Sequence, residues 1–198
     1  MKRHSVIRKI QSLFKVPNFT SEEAKKLGVS SASIAYYVKT GKLERIARGL
    51  YRSLCSPTVE HFQWEDLIVA IRQTKKGVIC LISALALYEL TDEIPRQHWI
   101  AVPNNTRHRA DQSVRVIRMR NISLGKTKIV LDKLALPIFD RERTIVDAFR
   151  YLSKEIAVKA LKKAITKKGK EKIDIEKLRK YAEKLHVKII PFIMVLTT

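Results

Sequence analysis

Eight polar or basic side chains between residues 31 and 52 have the types and spacing of groups that contact DNA. Four fall on a short predicted helix, where small or polar groups near the N-terminus can reach base edges in a major groove. The other four fall on a hairpin, where cationic groups can bind phosphates or enter a minor groove. These candidate DNA-binding residues are Ser31, Ser33, Tyr36 and Lys39 in the helix, and Lys42, Arg45, Arg48 and Arg52 in the hairpin.

The surrounding sequence carries the signals of a helix-turn-helix. Thr20 and Glu23 have the three-residue spacing of a capping box, which starts a first helix. Gly28 can take the left-handed conformation that ends this helix, and Ser30 is a good N-cap for the second helix. Val29, in the turn, is expected to be buried. The second helix has apolar residues at helical spacing on its inner side, namely Ile34, Tyr37 and Val38.

A basic hairpin follows the second helix. Glycine readily adopts a positive φ, so the pair Arg48-Gly49 predicts the tight turn between two short strands. Upstream, residues 6–14 have the apolar periodicity of a supporting helix. The order of two helices, a turn and a basic hairpin indicates a winged helix-turn-helix. The alternative is that the motif is structural and contacts no DNA.

The charge of the chain predicts a polyanionic partner. The 198 residues include 40 Lys and Arg against 19 Asp and Glu, a formal net charge of +21, and basic residues predominate in both halves. Neutralising phosphates releases condensed counterions, which favours binding of such a chain to nucleic acid. Charge alone does not distinguish DNA from RNA or a membrane surface. The lysine-rich stretch 154–188 is therefore either a solvated helix face or an anion-binding surface.

Several features predict a cytoplasmic protein. Cys55 and Cys80 are too few for a disulfide framework, and their small or apolar neighbours favour buried thiols. The N-terminus lacks the apolar core of a signal peptide, and the longest apolar run, Val78 to Leu87, is too short to span a bilayer. The apolar stretch from Ile189 to Leu196 is expected to pack on the core, with docking of a second subunit as the alternative.

Residues 56–198 predict a second domain, so the expected division is 1–55 and 56–198, and the fold class is α/β (α+β). This domain is expected to contain a small sheet and several helices. Asp140 can cap one of these helices. The predicted helices are 64–73, 78–90, one following Asp140, 156–168 and 175–186, and the predicted strands are 99–103, 114–119, 129–131 and 135–138.

Catalytic motifs are not found in the sequence, so no enzymatic activity, cofactor or metal is expected. The five histidines have no repeated spacing, and no HExxH, CxxC, GxxxxGK[ST] or GxSxG pattern occurs. The carboxylates Asp140, Glu142 and Asp147 are close enough in sequence to suggest a metal nuclease. We interpret Asp140 and Asp147 instead as a helix cap and a helix-surface group that neighbouring arginines neutralise.

The segment FTSEEAKKLGVSSASIAYYVKTGKLERIARGLYR resembles the N-terminal winged-helix domain of the AbiEi antitoxins of type IV toxin–antitoxin systems. The most specific parts are KLGV, KTGKLERI and RGLYR. The later segments CLISALALYEL, HWIAVP and DRERTIVDAFRY also resemble the C-terminal domain of that family in order and spacing, although these motifs are looser.

The resemblance implies a transcriptional repressor of its own operon that also counters a nucleotidyltransferase-like toxin, in a phage abortive infection system. It implies that no stable complex with the toxin is required. The partners expected are therefore operator DNA, possible pairing of two copies on a palindromic operator, and no membrane. Two alternatives stay open: an RNA-binding accessory protein that uses a basic C-terminal domain, and a nuclease fused to a winged helix.

Overall fold

The structure is a computed structural model that describes residues 12–14, 16–54, 62–106 and 112–197. The chain divides into two compact units. The first extends to Thr74 and includes Ile129–Leu136, and the second contains Lys75–Lys128 and Pro137–Thr198. The boundary expected after Cys55 falls among residues 55–61, outside the described part, so the domain limits remain a prediction.

The first unit contains the helix-turn-helix and its wing. The elements are β1 (Phe19–Thr20), α1 (Ser21–Lys26), α2 (Ser31–Lys39), β2 (Leu43–Ala47) and β3 (Leu50–Ser53). The strands form an antiparallel sheet in which β3 lies between β1 and β2. The hairpin β2–β3 is therefore the predicted wing.

The local signals in the sequence form the contacts that they predict. The Thr20 hydroxyl accepts a hydrogen bond from the Glu23 N–H at 3.2 Å, and the Glu23 carboxylate accepts from the Thr20 N–H at 2.7 Å. Gly28 has a φ of 77°, which lets the Val29 N–H reach the Ala24 carbonyl at 2.9 Å. The capping box, the glycine stop and the burial of Val29 are confirmed.

One apolar cluster holds the two helices against the sheet. Its buried members are Leu13, Phe19, Ala24, Val29, Ile34 and Leu43. Tyr51 is half-buried and stacks on Phe19 with 5.9 Å between ring centroids, so its side chain packs against this cluster. The supporting helix expected at residues 6–14 lies mostly outside the described residues.

The helix predicted at 64–73 is α3 (Glu65–Gln73), and it belongs to the first compact unit. Two ion pairs connect α3 to the winged helix. Arg52 on β3 pairs with Glu65 at 2.7 Å, and Arg72 near the end of α3 pairs with Glu23 of the capping box. Partial burial alone would raise the pKa of Glu23, but hydrogen bonds from Thr20 and the nearby Arg72 outweigh it and lower that pKa.

The second part of the chain supplies a five-stranded mixed sheet and a layer of helices. The sheet order is β6-β5-β4-β8-β7, with β5 parallel to β6 and antiparallel to β4. The α/β (α+β) fold class is thereby confirmed. The elements are β4 (Val78–Ile79), α4 (Leu81–Leu87), β5 (His98–Pro103), β6 (Val114–Met119), β7 (Lys126–Leu131), β8 (Leu134–Phe139), α5 (Arg141–Tyr151), α6 (Lys154–Thr166), α7 (Ile175–Lys184) and α8 (Ile190–Thr197).

The single helix predicted over residues 78–90 is wrong at its start. Val78 and Ile79 form β4 in the middle of the sheet, and the Cys80 N–H donates to the Trp99 carbonyl at 3.1 Å. A short, fully apolar run has the same pattern whether it is a buried strand or a buried helix, so periodicity could not separate the two. The Cys80 thiol is buried as expected, and burial raises its pKa well above the ordinary value.

The C-terminal helix packs on the helical core, as predicted. Ile189 and Ile193 belong to the large apolar cluster built from α5, α6 and α7. Met194 and Val195 lie on the exposed side of α8. Within the described ranges, no helix has both the length and the apolarity needed to cross a membrane.

Asp140 caps α5 as predicted, since its carboxylate accepts from the Arg143 N–H at 2.8 Å. The interpretation of Asp147 as a helix-surface group is wrong. Asp147 is fully buried and accepts from Arg143 Nε at 2.7 Å and from an Arg150 guanidinium nitrogen at 2.9 Å. Burial raises the pKa of Asp147, while the charges and hydrogen bonds of Arg143 and Arg150 oppose that shift.

Gly125 is expected to tolerate no side chain, because its φ is 70° and a Cβ there would lie 2.6 Å from Arg143 Cβ. We expect Gly125→Ala to lower the free energy of unfolding by about 2–4 kcal/mol, from backbone strain and overpacking together. Gly169→Ala is the matched control, since Gly169 has a φ of 60° and nothing within 4 Å of its added Cβ. Urea unfolding measures both; equal losses would contradict the packing argument.

Candidate nucleic-acid interface

The inner side of helix α2 packs on the apolar cluster, and its outer side is exposed to solvent. The Ser30 hydroxyl accepts from the Ser33 N–H at 3.1 Å and caps the helix, while Ile34 is buried in the apolar cluster. Residues about 100° apart around a helix place positions i, i+1, i+4, i+5 and i+8 on one side. The exposed residues at these positions are Ser31, Ala32, Ala35, Tyr36 and Lys39.

Tyr36 is the largest group on this outer face, with 62% of its surface exposed. Its ring packs edge-on against Tyr37 at 5.4 Å between centroids, and Tyr37 in turn is half-buried beside the core. This contact fixes the direction of the Tyr36 ring and leaves its hydroxyl outward. A phenol in that place can both donate and accept a hydrogen bond at a base edge or phosphate.

Ser33 does not join the outer face. It follows Ala32 around the helix to the side away from Ala35, and its hydroxyl lies 2.9 Å from that of Ser30. Ser33 therefore takes part in the capping contacts at the N-terminus of α2. Its contact with DNA stays a prediction without structural support. The sequence analysis did not include Ala32 and Ala35 in the outer face, because alanine is common at any position of a helix. Their helical spacing from Ser31, Tyr36 and Lys39 was the available signal.

The wing places two arginines in solvent. Arg45 and Arg48 are exposed, and among the described residues neither forms an ion pair. Gly49 has a φ of 73°, and its carbonyl accepts from the Ser21 N–H at 2.9 Å. That bond ties the turn of the wing to the start of α1, so the wing is positioned by the same helix pair that presents α2.

Lys39 and Lys42 add positive charge between the helix and the wing. Lys42 lies with its amine 6.0 Å from the centre of the Tyr37 ring, and both lysines are exposed. With Arg45 and Arg48 they provide cationic groups on α2, the following turn and the hairpin. Phosphates on both sides of a groove can be bound by groups distributed in this way.

Arg52 is placed differently from the other predicted contacts. Its guanidinium donates to Glu44 at 3.0 Å and to Glu65 at 2.7 Å, and the hydrogen bond with Glu44 is the main cause that raises its pKa. Two carboxylates already satisfy this arginine. Its position favours a structural link between β2, β3 and α3, and we do not include it in the proposed interface.

Within the part of the chain that the structure describes, His, Cys, Asp and Glu side chains form no group of three that could hold a metal ion. The site is thus defined by an exposed helix, two wing arginines and two lysines. These are the elements of a winged helix-turn-helix.

Residues 13–53 match the family model described as "Transcriptional regulator, AbiEi antitoxin". The match spans the helix-turn-helix and the wing, and it confirms the resemblance to AbiEi antitoxins in this segment. The described family is one of regulators and not a class of enzymes.

A solved structure resembles the fold of nearly the whole chain. The RV2827C protein from Mycobacterium tuberculosis, known from a crystal structure, superposes with a TM-score of 0.53 at 14% sequence identity. The similar region covers 91% of this chain and 71% of that chain. At this identity the likeness shows the fold alone. No curated protein matches the sequence significantly.

Proposed function

We propose that this protein binds the operator of its own operon as a repressor and acts as the antitoxin of a type IV toxin–antitoxin system. The observation that carries the DNA-binding part is the exposed outer face of α2 together with Arg45 and Arg48, which form no ion pair among the residues that the structure describes. The recognition helix enters the major groove, while the wing arginines and Lys42 bind phosphates. Repression then follows from occlusion of the promoter.

The antitoxin part rests on the family match at residues 13–53 and on the resemblance of the later segments. The proposed partner is a nucleotidyltransferase-like toxin, countered without a stable complex. A fragment of residues 56–198 is a poor test, because a cut there divides the first compact unit between β3 and α3. Point variants of the full chain keep that unit whole.

A gel-shift titration with the upstream region of the gene tests the DNA-binding proposal. Random duplex and tRNA are added as competitors at physiological salt, since phosphate contacts alone make binding salt-dependent and nonspecific. Binding that survives both competitors supports an operator-specific regulator. If random duplex displaces the operator DNA from the protein, the proposal is overturned. If only tRNA displaces it, the RNA-binding alternative is favoured.

We expect Arg48→Ala to reduce the slope of log K against log salt concentration by about 0.9, because one phosphate contact is lost. The matched control is Arg179→Ala, which removes one exposed arginine charge outside the helix-turn-helix and the wing. Its slope should not change. An unaltered slope for Arg48→Ala would remove that residue from the phosphate contacts.

A test of the antitoxin part uses cells that express the toxin. The full-length chain should protect them. Protection should also remain when DNA binding is removed by a substitution on α2, if neutralisation does not depend on repression. Failure of the folded wild-type chain to protect would contradict the antitoxin proposal and leave operator binding untouched.

A further inference from the structure

A basic cavity of about 380 Å³ lies in the second unit. Its lining contains no residue of the proposed DNA interface. β5 and β6 run parallel, with Pro103 opposite Met119, so their carboxyl ends meet at one edge of the sheet. Ligands of α/β proteins commonly bind outside the carboxyl ends of parallel strands. The cavity opens there, with Asn104 and Arg120 directly following the two strands.

The lining is strongly cationic. Five of the lining side chains are Arg or Lys, and no carboxylate is among them. Asp147, beneath the cavity, offsets one of these charges through its bonds to Arg143 and Arg150. The lining residues are Asn104, Arg118, Met119, Arg120, Asn121, Arg143, Arg150, Tyr151, Lys184, Leu185 and His186.

Arg118 and Arg120 bring two positive charges to the lining that no ion pair balances among the described residues. Both side chains are exposed. Some basic residues of this unit do form ion pairs, as Lys163 does with Asp92 at 2.6 Å. Arg150 and Lys184 lie near helix C-termini, where a cation also complements the helix dipole. No such role explains the two arginines at the end of β6.

The floor of the cavity is a preorganised guanidinium. Arg143 is fully buried, and its Nε donates to Asp147 at 2.7 Å. One terminal nitrogen donates to the carbonyls of Asn121 at 2.9 Å and Leu124 at 3.0 Å. Among the described residues, the other terminal nitrogen donates to the Met119 sulfur at 3.7 Å, and the guanidinium carbon lies 4.6 Å from the centre of the Phe139 ring. Arg143 therefore provides a positive charge in a fixed position at the floor of the cavity.

His186 adds an imidazole to the lining of the cavity. It has a φ of 55° at the end of α7, where the His186 N–H bonds to the Glu183 carbonyl and the Val187 N–H to the Ala182 carbonyl. Glycine is the usual residue at this helix-ending position, because a side chain in the left-handed region is strained. The turn that ends α7 thus places the His186 imidazole in the lining of the cationic cavity.

We propose that this cavity binds the phosphate chain of a nucleoside di- or triphosphate. Fixed guanidinium groups bind phosphate oxygens in pairs, and the volume falls in the range of small-ligand sites. The exposed face of Tyr151, with the Arg150 guanidinium 5.0 Å from its ring centre, offers a surface on which a base can stack. This inference does not rest on the proposed DNA-binding function.

Isothermal titration of the full-length protein with ATP and GTP at physiological salt tests the proposal. We expect saturable binding, competition by inorganic triphosphate, and no binding of adenosine. Arg118→Ala/Arg120→Ala should raise the Kd by at least about tenfold, because charge-assisted contacts are removed. Arg179→Ala is the control, since Arg179 is an exposed arginine of the same unit that does not line the cavity and should leave the Kd unchanged.

His186→Gly gives a second readout that a purely structural role would not produce. Relief of the left-handed strain should raise the urea midpoint, while loss of the imidazole should raise the Kd for ATP. Three results would overturn the proposal: no saturable binding at millimolar nucleotide, equal affinity for adenosine and ATP, or binding confined to polynucleotides. A Kd that neither the double arginine variant nor His186→Gly changes would also overturn it.

Discussion

Asp147→Asn is expected to lower the free energy of unfolding by about 3–5 kcal/mol, since removing one partner of a buried ion pair leaves the other charge uncompensated. Asp147 and Arg143 are both buried, and Arg150 bonds to the second carboxylate oxygen. An asparagine can still accept one hydrogen bond, but it supplies no negative charge. The Arg143 guanidinium would then remain in the core without a counter-ion.

Urea unfolding followed by tryptophan fluorescence measures this loss. A Trp64→Phe background leaves Trp99, in the second unit, as the only tryptophan, so the signal reports on the unit that contains Asp147. Asp92→Asn is the matched control, because Asp92 makes an exposed ion pair with Lys163. Such a pair contributes at most about 1 kcal/mol. A similar decrease in the free energy of unfolding for the two variants would contradict the claim that Asp147 compensates a buried charge.

Ala35→Glu is expected to weaken operator binding by roughly 2–3 kcal/mol, or about 30- to 150-fold. Ala35 lies in the middle of the exposed face of α2, between Ser31 and Lys39. A glutamate there would place a negative charge and extra bulk against the bases and phosphates of the groove. Because glutamate is a good helix former and the site is exposed, the fold should be unaffected.

The measurement compares operator with random duplex in parallel titrations. Ala135→Glu is the matched control, because it makes the same substitution at an exposed alanine outside α2 and the wing. A loss confined to Ala35→Glu assigns the outer face of α2 to the groove. Equal losses for both variants would mean that only total charge matters. Tyr36→Ala extends the test: if Tyr36 contacts bases, operator affinity falls more than random-DNA affinity.

Sequence reasoning succeeded where the structure depends on neighbours along the chain. The capping box of Thr20 and Glu23, the glycine stop at Gly28 and the turn at Gly49 each involve residues within a few positions of one another. Their backbone geometry follows from local hydrogen bonding and sterics. For the same reason the helix-turn-helix and the wing were predicted with their order and limits nearly correct.

It failed where burial decides the outcome. Val78 and Ile79 became a strand because β5 and β8 lie on either side of them, and those strands are distant in sequence. Asp147 is buried rather than exposed because its side of α5 meets residues that are distant in sequence; its partner Arg143 also bonds to Asn121 and Met119. The sequence predicted that neighbouring arginines would neutralise Asp147, but not that its pairing with Arg143 and Arg150 would occur in the core.

The sequence by itself determined the class of the chain, its winged helix and most of its candidate contacts, because caps, turns and helical faces are local properties. Only the tertiary structure decided which arginines are available. Arg52 is engaged by Glu44 and Glu65, whereas Arg118 and Arg120 reach a cavity at the end of β6 without ion-pair partners among the described residues. A side chain's charge is a property of its residue, but whether that charge is satisfied depends on groups that folding brings beside it.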